Sequence, residues 1–246
     1  QRKRRTTRRR GYNIEIMIKL ISTNIEWHRH FDKRILPFIY KEQPEILCMQ
    51  EVFRKDFAFI KSKMQMDGIF APNAYSKEKD DEWGVAILTK MHIISGTIDN
   101  YRYIEENIIP KENLINPDIH HRSLVSVNVK EGDRVLHVAT TQFTWTPYGE
   151  ADDRQREDIK KLLKLLEERK IDIIAGDFNA PRGREIFSAL AERYKDNIPE
   201  QYITSIDKNL HKHGDVKLMV DGLFTTENIV VKNVKLTDGI SDHMAI

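Results

Sequence analysis

Ile14, Ile16, Ile18 and Leu20 recur at every second position and lead into Ser22-Thr23-Asn24. That period predicts a strand beginning near Tyr12 and carrying Asn24 at its C-terminal end. Residues 32–41 read as a short helix, punctuated by Pro44. The run Glu45-Ile46-Leu47-Cys48-Met49 is almost continuously apolar, which predicts a strand buried on both faces and ending at Gln50-Glu51. Phe57, Ile60 and Met64 fall at helical spacing within 54–66. Strands are expected at 85–88 and 92–98. Residues 99–121 carry Pro110, Pro117 and His120-His121 without a period, and read as a surface excursion.

Two more strands, 123–129 and 135–141, are joined by Glu131-Gly132-Asp133, a hairpin signal. The best helix spans 152–169: Asp152 and Asp153 open it, Ile159, Leu162, Leu163 and Leu166 form its stripe, and Arg169-Lys170 close it. A strand from Asp172 to Ala175 runs into Gly176-Asp177-Phe178-Asn179. A short helix at 184–193 and strands at 216–224 and 229–236 lead to Ser241-Asp242-His243. Strands outnumber helices, and the helices interrupt rather than alternate. The expected class is therefore α/β (α+β), with mixed sheets flanked by helices.

The length of 246 residues fits one large domain or two small ones. Neither a linker nor a repeat divides it, so the expectation is one domain over 12–246 behind an N-terminal arm, 1–11. Residues 1–10 hold seven cations and no acid. Without them, 33 basic residues face 38 acidic ones, so the net charge of +2 conceals a basic arm on an acidic body. Such an arm serves nucleic-acid contact or addressing, or is a solvated tail. With 40% hydrophobic and 32% charged residues, 11 Gly and 8 Pro, the chain is neither collagen-like, nor low-complexity, nor a disulfide scaffold. No apolar run approaches ~18 residues and no apolar stretch follows the basic start, so neither a membrane span nor a secretory leader is expected. The lone Cys48 closes no internal disulfide, which points to a reducing compartment such as the cytoplasm.

Asn24, Glu51, Gln142, Asp177 with Asn179, and Asp242 with His243 all fall at or just beyond expected strand ends, where folds gather catalytic groups. Singly, each has an ordinary explanation: a solvated strand end, an Asx turn, a loop. Together they are an inventory of hard oxygen ligands plus one histidine, which suits Mg²⁺ or Mn²⁺ rather than Zn²⁺.

The series Thr23-Asn24-Ile25, Gln50-Glu51-Val52, Gly84-Val85-Ala86-Ile87-Leu88, Gly176-Asp177-Phe178-Asn179, Val220-Asp221-Gly222 and Ser241-Asp242-His243 resembles the endonuclease/exonuclease/phosphatase superfamily, the deoxyribonuclease-I-like group. The resemblance runs from about residue 18 to the end. It implies a four-layer sandwich, two mixed β-sheets face to face with helices outside, and Mg²⁺-dependent hydrolysis of phosphate esters. It implies that Glu51, Asn24 and Asp242 lie on the metal side and that Asp177 activates water. Asn179 would hold phosphate and water, His243 would donate to the phosphate, and Asp221 would orient that histidine. The chemistry is coherent: fixed positive charge offsets charge building on phosphoryl oxygens. An Asp beside a His favours the imidazolium, and a carboxylate takes a proton from water.

One position departs from the pattern. The strand 135–141 runs into Thr141-Gln142, where many members of the family carry a histidine. Glutamine still donates from its amide but carries no charge. Arg122, Trp145 and Arg182 are further candidates for substrate contact, with Arg184 close behind. The close pairs His28/His30, His120/His121 and His211/His213 read as solvated loops, and Cys48 as an inert core residue. The leading expectation is a monomeric nuclease acting on DNA or RNA. The alternatives are an enzyme for a small phosphorylated molecule or lipid head group, and a weakly active binding protein limited by Gln142.

Overall fold

The computed structural model describes residues 17–102 and 120–246. The basic arm and the middle of the expected excursion lie outside them. Among the described residues, ten strands make two mixed sheets. One has the order β1-β2-β4-β3, from β1 (Leu20–Asn24), β2 (Ile46–Phe53), β3 (Asp67–Ser76) and β4 (Asp81–Thr89). The other has the order β5-β6-β7-β8-β10-β9. It comprises β5 (Ile93–Arg102), β6 (Arg122–Glu131), β7 (Arg134–Gln142), β8 (Ile173–Asp177), β9 (Lys195–Asp196) and β10 (Asp221–Thr225).

Parallel pairing needs a crossover between strands. Among the described residues only β1–β2 and β7–β8 pair in parallel, and helices occupy both connections. A π-helical turn, Phe31–Ile35, runs into α1 (Leu36–Glu42) between β1 and β2, and α3 (Asp153–Glu168) lies between β7 and β8. Asp152 caps α3 by accepting from the Gln155 N–H at 2.9 Å. The other helices are α2 (Arg54–Lys63) and α4 (Glu185–Ala191).

The layering follows from the two faces of each strand. In β2, Ile46 and Cys48 turn inward against Val125, Val127 and Val138 of the facing sheet. Their neighbours Leu47 and Met49 turn outward against Ile39, Phe57 and Ile60 of α1 and α2. In the second sheet Leu124, Ala139, Ile174 and Phe224 face Ile159, Leu162 and Leu166 of α3 and Phe187 and Leu190 of α4. The result is helix, sheet, sheet, helix. No helix among the described residues is long and apolar enough to cross a membrane.

Four sequence expectations fail. Strand β3 was not anticipated, because Asp67, Gly68 and Pro72 break its alternation. It is an edge strand, and its register slips between Pro72 and Ala74, where proline's missing N–H is tolerated. The expected excursion begins later than read, since β5 continues through Arg102 and both His120 and His121 are buried. The strand expected over 216–224 begins only at Asp221. Residues 229–236 form no strand; Val231, Val234 and Leu236 pack against the core without a ladder, so their spacing reported burial rather than pairing.

Candidate active site

The C-terminal ends of β1, β2, β7 and β8 converge on one rim. Gln142 of β7 and Asp221 of β10 flank Asp177 of β8 in register, so three site side chains come from one row of the sheet. Gly176 permits this close pairing: a Cβ there would lie 2.2 Å from the Thr141 carbonyl oxygen. Glu51 sits at a bulge, where the β2–β4 register shifts between Gln50 and Val52, with a left-handed φ of 54°. That conformation costs a non-glycine residue about 1–2 kcal/mol, and the bulge re-aims the carboxylate toward the rim.

Asn24 ties the two sheets together. Its Nδ2 donates to Glu51 Oε1 at 3.2 Å and to Asp177 Oδ2 at 3.1 Å. Its Oδ1 accepts from the Glu26 N–H at 3.0 Å, so Asn24 presents N–H rather than oxygen to the site. Gln142 Nε2 donates to the same Glu51 oxygen at 2.7 Å. Among the described residues no donor reaches the other Glu51 oxygen. Asp177 Oδ1 accepts from the Asn179 N–H at 2.9 Å, and Asn179 Nδ2 donates to the Phe143 carbonyl at 2.9 Å.

His243 is brought in by a bridge between Ile206 and His243, and its Nδ1 lies 2.7 Å from Asp221 Oδ2. Burial opposes its charge, but the Asp221 and Asp177 carboxylates raise its pKa well above the ordinary histidine value. Burial, then Asp242 and Asp177, push Glu51 up to about 7. Burial and Asp221 raise Asp177 to about 6, against the pull of His243. Asp177, Asp221 and His243 bring one ligand-type atom each within 4.8 Å of one another. With Nδ1 bonded to Asp221 and the neighbouring carboxylates favouring its charged form, His243 is set up as a carboxylate-backed donor.

The remaining predicted residues divide. Arg122 is buried, with Nη1 3.4 Å from Gln142 Oε1. Trp145 is 46% exposed at the rim. Asp242 lies beside Glu51, accepting from Ser241 Oγ at 3.0 Å. Arg182 points elsewhere: it pairs with Asp196 at 2.8 Å and donates to the Ile198 and Tyr202 carbonyls. Those bonds hold the 196–202 backbone and leave Arg182 out of the site. Arg184 is likewise engaged, by Glu150 and the Tyr148 carbonyl. Of the histidine pairs, His28 bonds Asp56 at 2.8 Å, and the His211 and His213 rings lie tilted with centroids 5.5 Å apart.

Two site residues escaped the sequence reading. Asn73, on the unanticipated β3, donates to Gln142 Oε1 at 3.3 Å. Glu26 is buried near Asp242, and burial followed by that charge lifts its carboxyl to about 7. Its position two residues beyond Asn24 was the available signal.

Asn73 and Arg122 fix the orientation of the Gln142 amide. With both donating to Oε1, Nε2 is left to hold Glu51. Gln142→Leu keeps the volume and removes all three bonds. The expected result is a rate loss of about 10–100-fold, the usual scale for removing a hydrogen-bond partner that orients a site carboxylate. Steady-state kinetics alongside a melting curve measures it, and a change below threefold would rule out this orienting role.

A double sheet sandwich with carboxylates and an Asp-backed imidazole at one rim defines the deoxyribonuclease-I-like class. The profile of the Endonuclease/Exonuclease/phosphatase family matches residues 21–243, and the chain belongs to that family, whose members are hydrolases of phosphoester bonds. No curated protein sequence matches it. Among the solved structures that share the fold are the following three. An endonuclease/exonuclease/phosphatase from Bacteroides vulgatus has a TM-score of 0.71 at 14% identity, covering 93% of this chain and 96% of that one. The Bacteroides thetaiotaomicron mannosyl-6-phosphatase has 0.63 at 12%, covering 93% and 97%. TDP2 from D. rerio, complexed with single-strand DNA product, has 0.61 at 15%, covering 93% and 96%.

Proposed function

We propose that this protein is a divalent-metal-dependent phosphodiesterase that cleaves nucleic acid. The observation that carries the reading is the single frame in which Asn24 joins Glu51 to Asp177 while Asp221 holds a charged His243 opposite. Three carboxylates, Glu51, Asp177 and Asp242, share the site; the other two raise the proton affinity of Glu51, and among the described residues no donor reaches one Glu51 oxygen. That all-oxygen set fits Mg²⁺, with Mn²⁺ as a substitute. Glu51 and Asp242 would hold the ion. When bound, it would neutralise charge on a phosphoryl oxygen.

The protein's own groups then divide the work. Asp177, raised toward neutrality, accepts the proton of the attacking water. Asn179 orients the loop that carries it. His243 donates from Nε2 to a phosphoryl oxygen while Asp221 holds Nδ1–H, and the bond is worth most as charge builds. Among the described residues, His243 and the buried Arg122 supply fixed positive charge at the site, since Gln142 is neutral. Such a modest charge suits the single negative charge of a diester better than the two of a monoester. The basic arm adds sequence-independent attraction to a polyanion.

Incubating supercoiled plasmid and a short oligonucleotide with Mg²⁺ or with EDTA tests this reading. Cleavage of either that EDTA abolishes is expected. Inert nucleic acids beside rapid hydrolysis of a small phosphomonoester would overturn it in favour of a phosphatase.

A further inference from the structure

The turn that leaves β7 just after Gln142 exposes two aromatic rings. Phe143 is fully buried, and Thr144 and Thr146 point inward, but Trp145 is 46% and Tyr148 84% exposed. Burial would stabilise both rings, so their exposure at the site rim calls for an occupant. The turn is also rigidly placed. The Phe143 N–H donates to the Asp177 carbonyl at 2.8 Å. Gln155 Nε2 donates to the Thr144 carbonyl at 2.6 Å and to the Asn179 carbonyl at 3.4 Å. Trp145 is therefore anchored to the loop that carries Asp177 and Asn179.

Tyr148 adds a second, independent observation. Its φ of 58° and ψ of 10° place a bulky aromatic residue in the left-handed region, which such residues rarely occupy. Neighbours enforce it. Arg184 Nη1 donates to the Tyr148 carbonyl at 2.6 Å, and the Gly149 N–H donates to the Thr146 carbonyl at 3.2 Å. Pro181 packs so closely that a Cβ on Gly149 would lie 2.5 Å from it. The fold keeps this strain while leaving the ring in water. Strain held in this way points to a functional constraint.

We infer that Trp145 and Tyr148 form a stacking platform for unpaired nucleobases next to the scissile phosphate. This deepens, and rests on, the phosphodiesterase reading above. Two arguments select unpaired bases. The body outside the arm is net acidic, with 33 basic against 38 acidic residues, which disfavours the broad phosphate footprint that duplex DNA needs. Stacking on exposed rings requires a free base face, which single strands offer and duplexes hide. Arg184 serves the platform by holding the turn rather than by meeting phosphate.

Binding of 5′-fluorescein-labelled dT12 in EDTA tests the inference without turnover, by anisotropy and by tryptophan quenching. Trp83 is buried and Trp27 half-buried, so Trp145 is the most exposed of the three tryptophans. Saturable quenching by dT12 that Trp145→Phe removes is expected. Trp145→Ala and Tyr148→Ala should each weaken dT12 binding about tenfold. Melting curves that match the wild type's should show that both variants are folded. Pairing dT12 with dA12 should abolish the quenching. Unchanged dT12 affinity in both variants, or equal quenching by the duplex, overturns the platform. If the wild type still cleaves dT12 in Mg²⁺, the nuclease reading survives that outcome. If it cleaves neither dT12 nor methyl p-nitrophenyl phosphate, the phosphodiesterase reading itself falls.

Discussion

Asp177→Asn should lower kcat/KM by about 10³-fold, within the range for losing a positioned general base, while leaving the protein folded. Asparagine retains an oxygen for the Asn179 N–H, so the turn after β8 keeps its anchor. It cannot take a proton from water. The wild-type profile should fall on the acid side as Asp177 protonates, near its raised value of about 6. It should fall on the alkaline side as His243 loses its proton. Asp177 is one of the charges that hold His243 protonated. The residual activity of Asp177→Asn should therefore have its alkaline limb at lower pH, and the acid limb that remains should report Glu51, whose raised carboxyl must ionise to hold the ion. A pH–rate series on both proteins, with melting curves to confirm folding, measures this. A loss of less than tenfold would show that another group accepts the proton.

The sequence made the layers legible because burial leaves a direct trace in side-chain type. The apolar run in β2 announced a strand covered on both faces, and Leu47 and Cys48 do face different cores. Strand β3 left no such trace, since an edge strand tolerates Pro72 and Gly68 that a central strand would not. Residues 229–236 show the converse error, for alternation records which side chains are covered and says nothing about a partner for the backbone. The site divides along the same line. Asn24, Glu51, Gln142 and Asp177 sit at strand ends and follow from strand prediction plus residue type. Which end of the Gln142 amide faces Glu51 depends on Asn73 and Arg122, two residues on other strands. The engagement of Arg182 depends on the Ile198 and Tyr202 carbonyls, and backbone atoms of a distant loop leave no mark in residue type.

Glu51→Gln should abolish measurable metal-dependent turnover and at the same time stabilise the metal-free protein. Burial, with Asp242 and Asp177 nearby, pushes the Glu51 carboxyl up to about 7 from the ordinary 4.5. Between those values the native state binds a proton that the unfolded state has released. Native stability therefore declines as pH rises through this window, and the full penalty persists above it. Part of Glu51 still meets solvent, which scales the penalty to about 2 kcal/mol at pH 7.5. Glutamine keeps an oxygen for the Asn24 and Gln142 amides but carries no charge. In EDTA at pH 7.5 its melting temperature should exceed the wild type's by about 5 °C, given 2–4 °C per kcal/mol for a chain of roughly this size. At pH 4.5 the difference should nearly vanish, because the native state then holds the Glu51 proton and the unfolded state holds it about half the time. Mg²⁺ should reverse the ranking. Binding only the native state, it stabilises the wild type by mass action, and the variant lacks the charged oxygen proposed to hold it. Loss of that ligand should cost more than the 10–100-fold typical of an outer partner. Differential scanning calorimetry at both pH values, with EDTA and with Mg²⁺, separates the two effects. An unchanged metal-free melting temperature at pH 7.5 would show that Glu51 carries no buried charge. An equal Mg²⁺ response in the two proteins would place the ion elsewhere.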